Sequence, residues 1–417
     1  MQPGDSELEP EEQPKKFQFI YGLIMLRTTR FTSVMDRMGR NRITKPLGWF
    51  MLYLLPIAAG IGFYIFLTEF GVLFSAQAHA AGTAVRNISP LAYLGIPGIN
   101  PYIPLLDGWA ALIVAMVVHE GAHGVVARSL GYPVKSSGLL FFLVVPIGAF
   151  VEVDEKALKA APARDSIRIL AAGAGVNFVA GIIFLIMLTS VVSGMTPAAN
   201  GIAIDQVTVN SSASAAGLQH GDFLVAVNGI HYNDSSKLSG APWYRPGQVV
   251  NLTIYRQGKT IQVPDVTLGT NPNNKSLGYI GITSLSLSDL DGRVSTYSGE
   301  FFSQPIAYFC IPAFPRCQDI APFSDELAVF YTSSYGSTTG PLANLLYWMF
   351  FLNLNLAIFN AMPIYPLDGG QSFEAGVMGL SKGRLSEKAI SRITAGATLV
   401  TIVIVASFPL AAYLNLI

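Results

Sequence analysis

Apolar residues along this chain gather into long blocks rather than stripes. Leu47 to Phe74 is one block, with Pro56 inside it; about Gly108 to Leu130, Ile169 to Met195, Pro341 to Met362 and Ile393 to Tyr413 are four more. Each is long enough to cross a bilayer core, which takes roughly 20 apolar residues. A shorter run, Leu139 to Val151, is rich in Val, Phe and Leu and is broken by Pro146 and Gly148. It is too short to cross and reads as a re-entrant hairpin or strand pair, because such backbone is tolerated at membrane depth only where protein or a water-filled cavity satisfies it. From about Gly201 to Ser284 the pattern becomes the alternation of half-buried strands, as in Val249 to Tyr255, bounded by turn residues. The pattern predicts a polytopic α-helical membrane protein of about five or six transmembrane helices with a re-entrant β element, plus a small β-rich domain.

Composition agrees. A hydrophobic content of 51%, only 12% charged residues and a mean hydropathy of +0.45 are too apolar for an ordinary soluble enzyme. Net charge is zero, and no strongly basic face suggests nucleic acid, so the useful information lies in where the charges fall. The acidic segment Met1 to Pro14 reads as disordered, and not as a cleavable signal peptide. Eight positive residues follow between Lys15 and Lys45, a stretch expected to lie along the membrane surface. With six more from Arg128 to Arg168 and four from Lys382 to Arg392, 18 of the 26 positive residues fall on one side of a five-span topology. The positive-inside rule makes that side cytoplasmic, with the N-terminus inside and the C-terminus outside. It sends outward the β-rich region, the five Asn-x-Ser/Thr triplets, and Cys310 with Cys317, whose spacing suits a local disulfide in an oxidising compartment. The expected segments are 1–46, acidic tail and basic stretch; 47–200, first part of the membrane domain; 201–284, the β-rich domain; 285–340, a loop of no clear fold; and 341–417, second part of the membrane domain.

Candidate chemistry sits in the second span. His119-Glu120-Gly121-Ala122-His123 puts two imidazoles on one face of a helix, where one divalent metal takes both, and places a glutamate beside them. In His-Glu-x-x-His that glutamate serves as general base of a zinc peptidase. Burying these three groups in lipid is costly unless a metal and a water pocket compensate them. Zinc suits the nitrogen and oxygen donors, and one ion per chain is expected. A third ligand must come from elsewhere. Glu152 and Asp154 lie next to the re-entrant run; Asp368 is the stronger candidate, between Pro363 and Pro366, which interrupt helix, and Gly369-Gly370, which permit close approach, with Glu374 as fallback. His79, His220 and His231 read as surface or turn residues. Gly173-Ala174-Gly175-Val176-Asn177 puts small residues and an amide where helices pack closely.

His119-Glu120-x-x-His123 together with Asn360-Ala-Met-Pro363-Ile-Tyr-Pro366-Leu-Asp368-Gly369-Gly370 resembles the site-2 protease family, the intramembrane zinc metalloproteases. Pro146-Ile-Gly148-Ala-Phe-Val151 and Gly173 to Asn177 add family-like elements, although Ala174 stands where the family's Gly-Pro-x-x-Asn has proline. The resemblance implies Asp368 as third ligand, Glu120 as general base, and Asn360 and Asn177 as support for substrate or transition state. The segment Ala216 to Gly229 resembles a PDZ domain, which implies a groove region at Gly217, Leu218, Gly221 and Asp222 that either captures peptide C-termini or is an unused part of a rigid cap. The implied substrates are transmembrane proteins in the bilayer, cut in or near their membrane segments. The strand containing Pro146 and Gly148 is a candidate edge for pairing with an unwound substrate. Two competing classes are a transporter or proton pathway built on buried His, Glu and Asp, and a non-hydrolytic metal-bound receptor.

Overall fold

A chain segment that is apolar for six or seven helical turns has no partner for its N–H and C=O groups except itself, and each of the five blocks is helical. The computed structural model of the protein describes residues 17–20, 23–142, 145–154, 157, 161–299 and 321–417. The helices that matter for the site are α1 (Thr32–Gly39), α2 (Thr44–Val72), α3 (Ala78–Arg86), α4 (Leu105–Leu130), α5 (Ala163–Ser193), α6 (Thr339–Ala361), α7 (Asp368–Ser381) and α8 (Glu387–Tyr413). Among the described residues, α2, α4, α5, α6 and α8 are long and apolar enough to cross a membrane. Contacts divide the chain into two units, 1–183 with 348–417, and 184–347.

Helix ends depart from the apolar blocks where polar residues find partners. The α5 helix begins at Ala163, not near Ile169, because hydrogen bonding continues through Arg164 and Arg168. Arg168 is buried: its guanidinium lies 4.5 Å from the Trp49 ring centroid, donates to the Lys45 carbonyl at 3.1 Å and sits 3.6 Å from Asp165. At the other end of the site helix, Gly131 at φ +92° stops α4 and returns its N–H to the last turn. Small residues bring the helices together: a Cβ at Gly175 would meet Met51 at 2.6 Å, one at Gly62 would meet Ile358 at 2.8 Å, and Leu354 stands 3.2 Å from the corresponding position at Gly181.

The short apolar run is a strand pair, β3 (Val134–Phe142) and β4 (Val145–Val153), in a sheet ordered β1-β2-β3-β4. Its other two strands, β1 (Phe17–Ile20) and β2 (Leu23–Thr28), come from the basic stretch expected along the membrane surface. Leu23 pairs with Phe142 and Thr28 with Ser137. Beneath the sheet, Met35, Val126, Ala127, Val134, Ile169 and Ala172 form one buried cluster with Val151 and Val153 against it, tying α1, α4 and α5 to β3 and β4.

The second unit contains the β-rich domain. Five strands stand in the order Lys259–Thr267, Val249–Arg256, Phe223–Val227, Ile202–Val207 and Ile282–Leu285, with Ile230–His231 beside Phe223–Val227. Their inward residues, including Ile202, Leu224, Leu252 and Ile254, are fully or almost fully buried. Part of the segment expected to have no clear fold is helical, Leu287–Gly299, and starts with a cap in which Asp289 accepts from the Ser286 N–H at 2.8 Å. Cys310 and Cys317 lie outside the described residues.

Candidate metal centre

On α4, four residues of helix carry His119 to His123, so both rings leave the same face, 4.8 Å apart between centroids. Both residues are buried. Asp368 reaches them from the first turn of α7: its Oδ2 lies 3.0 Å from His119 Nε2 and 3.2 Å from His123 Nε2. The close approach depends on the glycines after it, since a Cβ at Gly369 or Gly370 would collide with the backbone of Ala361 to Tyr365. From α5, Gly173 comes up against the two Nε2 atoms; a Cβ there would stand 2.6 Å from that of His119 and closer still to that of His123. One residue without a side chain thus leaves the space into which both imidazoles point.

The far nitrogens are held as well. His123 Nδ1 is 2.7 Å from the Ile169 carbonyl, and His119 Nδ1 is 3.2 Å from the Asn177 amide. A carbonyl only accepts, so His123 carries its proton on Nδ1 and leaves the Nε2 lone pair facing Asp368.

Glu120 projects about 100° around the helix from His119. One ligand atom from each of His119, Glu120 and His123 lies within 4.8 Å of the others. Glu120 and Asp368 nevertheless differ in what they do with their oxygens. Glu120 Oε2 accepts from the Val151 N–H at 3.0 Å, whereas Asp368 Oδ2 faces the two ring nitrogens and, among the described residues, is buried without a hydrogen-bond donor. Two nitrogens and one oxygen separated by 3.0 and 3.2 Å fit the donor set of zinc, where bonds of about 2.0–2.2 Å in tetrahedral array put ligands roughly 3.3 Å apart.

Other expected site residues are placed differently. Asn360 turns its amide back to the Leu356 carbonyl, 3.0 Å away on its own helix. Glu374 is six residues beyond Asp368 and so on another face of α7; Glu152 accepts from Ser136 at 2.7 Å, and Asp154 is paired with Lys135 at 2.9 Å. Pro146 and Gly148 lie on β4, opposite Phe141 and Leu140, and the outer edge of that strand is unpaired among the described residues. His79, His220 and His231 are exposed, as the sequence suggests.

The presumed groove residues of the β-rich domain serve its interior instead. Leu218 is in the core, and Asp222 is fully buried, bonded at 2.6 Å to both Nε and a terminal nitrogen of Arg256 and at 2.8 Å to the Gln219 N–H. Gly217 gives its carbonyl to the same arginine at 2.8 Å, and the Gly221 N–H goes to Ile204. Both glycines have positive φ, +72° and +89°, and supply turn conformations. A carboxylate spent in this way is not presented to a peptide.

Sequence reasoning missed the main-chain partners, the Ile169 carbonyl and the Val151 N–H, because main-chain groups leave no residue signature. Gly173 was legible only as a packing residue, although its spacing of four from Asn177 sets both on one face of α5.

Residues 108–405 match the family described as Peptidase family M50. An uncharacterized protein of Methanocaldococcus jannaschii is 26% identical over 357 residues, 85% of this chain and 77% of that protein. Zinc metalloprotease RasP of Shouchella clausii is 26% identical over 205 residues, 48% of this chain and 47% of the relative. The regulator of sigma-W protease RasP of Bacillus subtilis is 24% identical over 217 residues, 50% of each. The chain thus spans about half the length of the two RasP proteins.

Proposed function

This chain belongs to peptidase family M50, and on that premise we propose that it is an integral, multi-pass zinc metalloendopeptidase that hydrolyses peptide bonds in or near the transmembrane segments of other membrane proteins. The observation that carries the reading is the position of Asp368 Oδ2, buried between two imidazole nitrogens and without a donor of its own. The proton-pathway alternative has no use for three ligand atoms gathered at one point, and family membership does not favour it.

In this reading His119, His123 and Asp368 hold the zinc ion, and the Ile169 carbonyl and Asn177 fix the rings that present it. Zinc in such a site supplies Lewis acidity, which polarises a carbonyl and acidifies water. Glu120 takes the proton of the attacking water and passes it to the departing amine. Its bond to the Val151 N–H keeps the carboxylate at the margin of β4, beside the place where a substrate strand would lie.

A substrate helix satisfies its own backbone until it unwinds, and the segment then needs new partners. The outer edge of β4 offers them by strand addition. Charge distribution supports a cytoplasmic N-terminus and an extracytoplasmic β-rich domain. Within the domain, the segment Ala216 to Gly229 supports a PDZ-like identity for residues 201–284, with residues 47–200 and 341–417 as the two parts of the membrane domain; any capture of peptide C-termini must use surfaces other than Asp222.

The test is direct. Purified protein should contain one zinc per chain and cut a synthetic transmembrane peptide; a chelator and Glu120→Gln should each abolish the cut, the variant retaining its zinc. Cleavage that survives both treatments would exclude the metalloprotease.

A further inference from the structure

We infer that the amino-terminal segment, β2 and α1, is the wall of the active-site cavity that selects bulky apolar side chains of the unwound substrate; the inference rests on the protease reading above. A cavity of about 660 Å³ runs along the Glu120 side of α4. Its lining includes Glu120, Ala149 and Val151 of β4, and also Phe31, Val34 and Met38. These last three precede residue 108, where the family match begins, so this chain supplies from its own N-terminal segment part of the lining of a cavity that also holds the general base.

The wall is firmly built. Between the cavity residues, Met35 packs into the space left by Gly124, the residue after His123, and a Cβ at Gly39 would meet the Val125 carbonyl at 3.0 Å. Asp36 is paired with Arg128 at 2.8 Å. Just before α1, β2 is paired with β3 from Leu23 to Thr28. Phe31, Val34 and Met38, by contrast, are 61%, 52% and 53% exposed. Apolar side chains held rigidly but uncovered, next to a catalytic carboxylate, are suited to a ligand that covers them.

Continuity with the β4 edge identifies the ligand. A strand added there would send alternate side chains to one face of the sheet, and Ala149 and Val151, which both line the cavity, mark the residues they would pass. A volume of this size, within the roughly 300–1,000 Å³ of enclosed ligand sites, takes more than one large side chain. Apart from Arg27, Thr28, Thr44, Ser137 and Glu120 the lining is apolar, so a large apolar side chain gains most from entering it.

Two arms test the inference. Wild-type, Val34→Trp and Met38→Trp proteins, matched for zinc content and thermal unfolding, are reconstituted in phosphatidylcholine and phosphatidylglycerol vesicles with three transmembrane peptides that differ only in carrying Ala, Leu or Phe around the cleaved region. The ratio of Phe-peptide to Ala-peptide cleavage should fall at least fivefold in Val34→Trp; an unchanged ratio in both variants would overturn the inference. The second arm needs no catalysis: Glu120→Gln protein with a photoreactive benzophenone residue at position 34 should cross-link the Phe peptide, and the same label at Val403, an exposed position on α8, should not. Labelling at 34 no stronger than at 403 overturns the inference even in a protein that cleaves. Labelling at 34 in a protein whose wild type cleaves nothing supports the cavity while removing the protease reading.

Discussion

The Asn177 amide stands 3.2 Å from Nδ1 of His119, on the side of the ring away from the nitrogen that meets Asp368. For Nε2 to offer its lone pair to a metal, Nδ1 must carry the proton and donate it, so the group facing it must be the amide oxygen. Turning the amide to present its oxygen also gives a partner to the buried Asn177 Oδ1, which otherwise has none. Asn177 is on this account a positioning residue for His119, as the Ile169 carbonyl is for His123.

Asn177→Leu should therefore weaken zinc binding by about 10- to 100-fold, the usual effect of losing an outer partner of a ligating histidine. Asn177→Asp, which keeps an acceptor, should restore most of it. Competition with a chromophoric chelator reads both; equal affinities in Leu and wild-type proteins would return Asn177 to a role in substrate binding alone.

Gly173 makes a sharper prediction, because its Cβ would fall on the two Nε2 atoms. Gly173→Ala should leave the helices in place and lose the metal: zinc content near zero with little change in far-ultraviolet circular dichroism. A Gly173→Ala protein with a full complement of zinc would mean that the imidazoles have room to retreat, and that the tight approach of α5 is not what shapes the site.

The β-rich domain holds an ion pair in which Asp222 is buried and Arg256 is about a quarter exposed. Asp222→Ala leaves the Arg256 guanidinium without its carboxylate, and breaking such a pair by removing one partner costs about 3 kcal/mol. Hydrogen exchange of the strand amides between residues 202 and 285, followed in the full chain, should speed up on the order of 100-fold. Unchanged protection would show that the pair contributes little to the stability of the domain.

How much of this is legible in the sequence depends on the range over which the information is written. His119, Glu120 and His123 are set together by spacing on one helix, and Asp368 is marked out by the prolines and glycines around it, so a candidate donor set can be named without coordinates. The strand pair β3 and β4 is readable from a run too short to span. The hairpin of β1 and β2 is not: it lies in a stretch whose charges dominate the reading, and its partner is more than a hundred residues away, Leu23 opposite Phe142. Asp222 misleads for a related reason, since its motif is a turn signature and the arginine that consumes the carboxylate is 34 residues on. Local spacing identifies the chemistry; the wall around it is made by pairings that only the fold brings together.

The outer edge of β4 yields the last prediction. Val151 sends its N–H to Glu120 and not into the ladder with β3, and successive residues of a strand face opposite edges, so the N–H of Ala149 points outward beside it. Ala149→Pro removes that one donor and spares the bonds between β3 and β4. If an unwound substrate pairs with this edge, kcat/KM for a transmembrane peptide should fall about tenfold or more, the loss of one desolvated hydrogen bond, while zinc content and affinity stay as in the wild type. A raised KM with little change in kcat would place the bond in substrate binding; a fall in kcat with KM unchanged would place it in the alignment of the scissile carbonyl against Glu120. Cleavage at the wild-type rate would show that the substrate approaches by another face, and that the bond between Glu120 and Val151 only steadies the base.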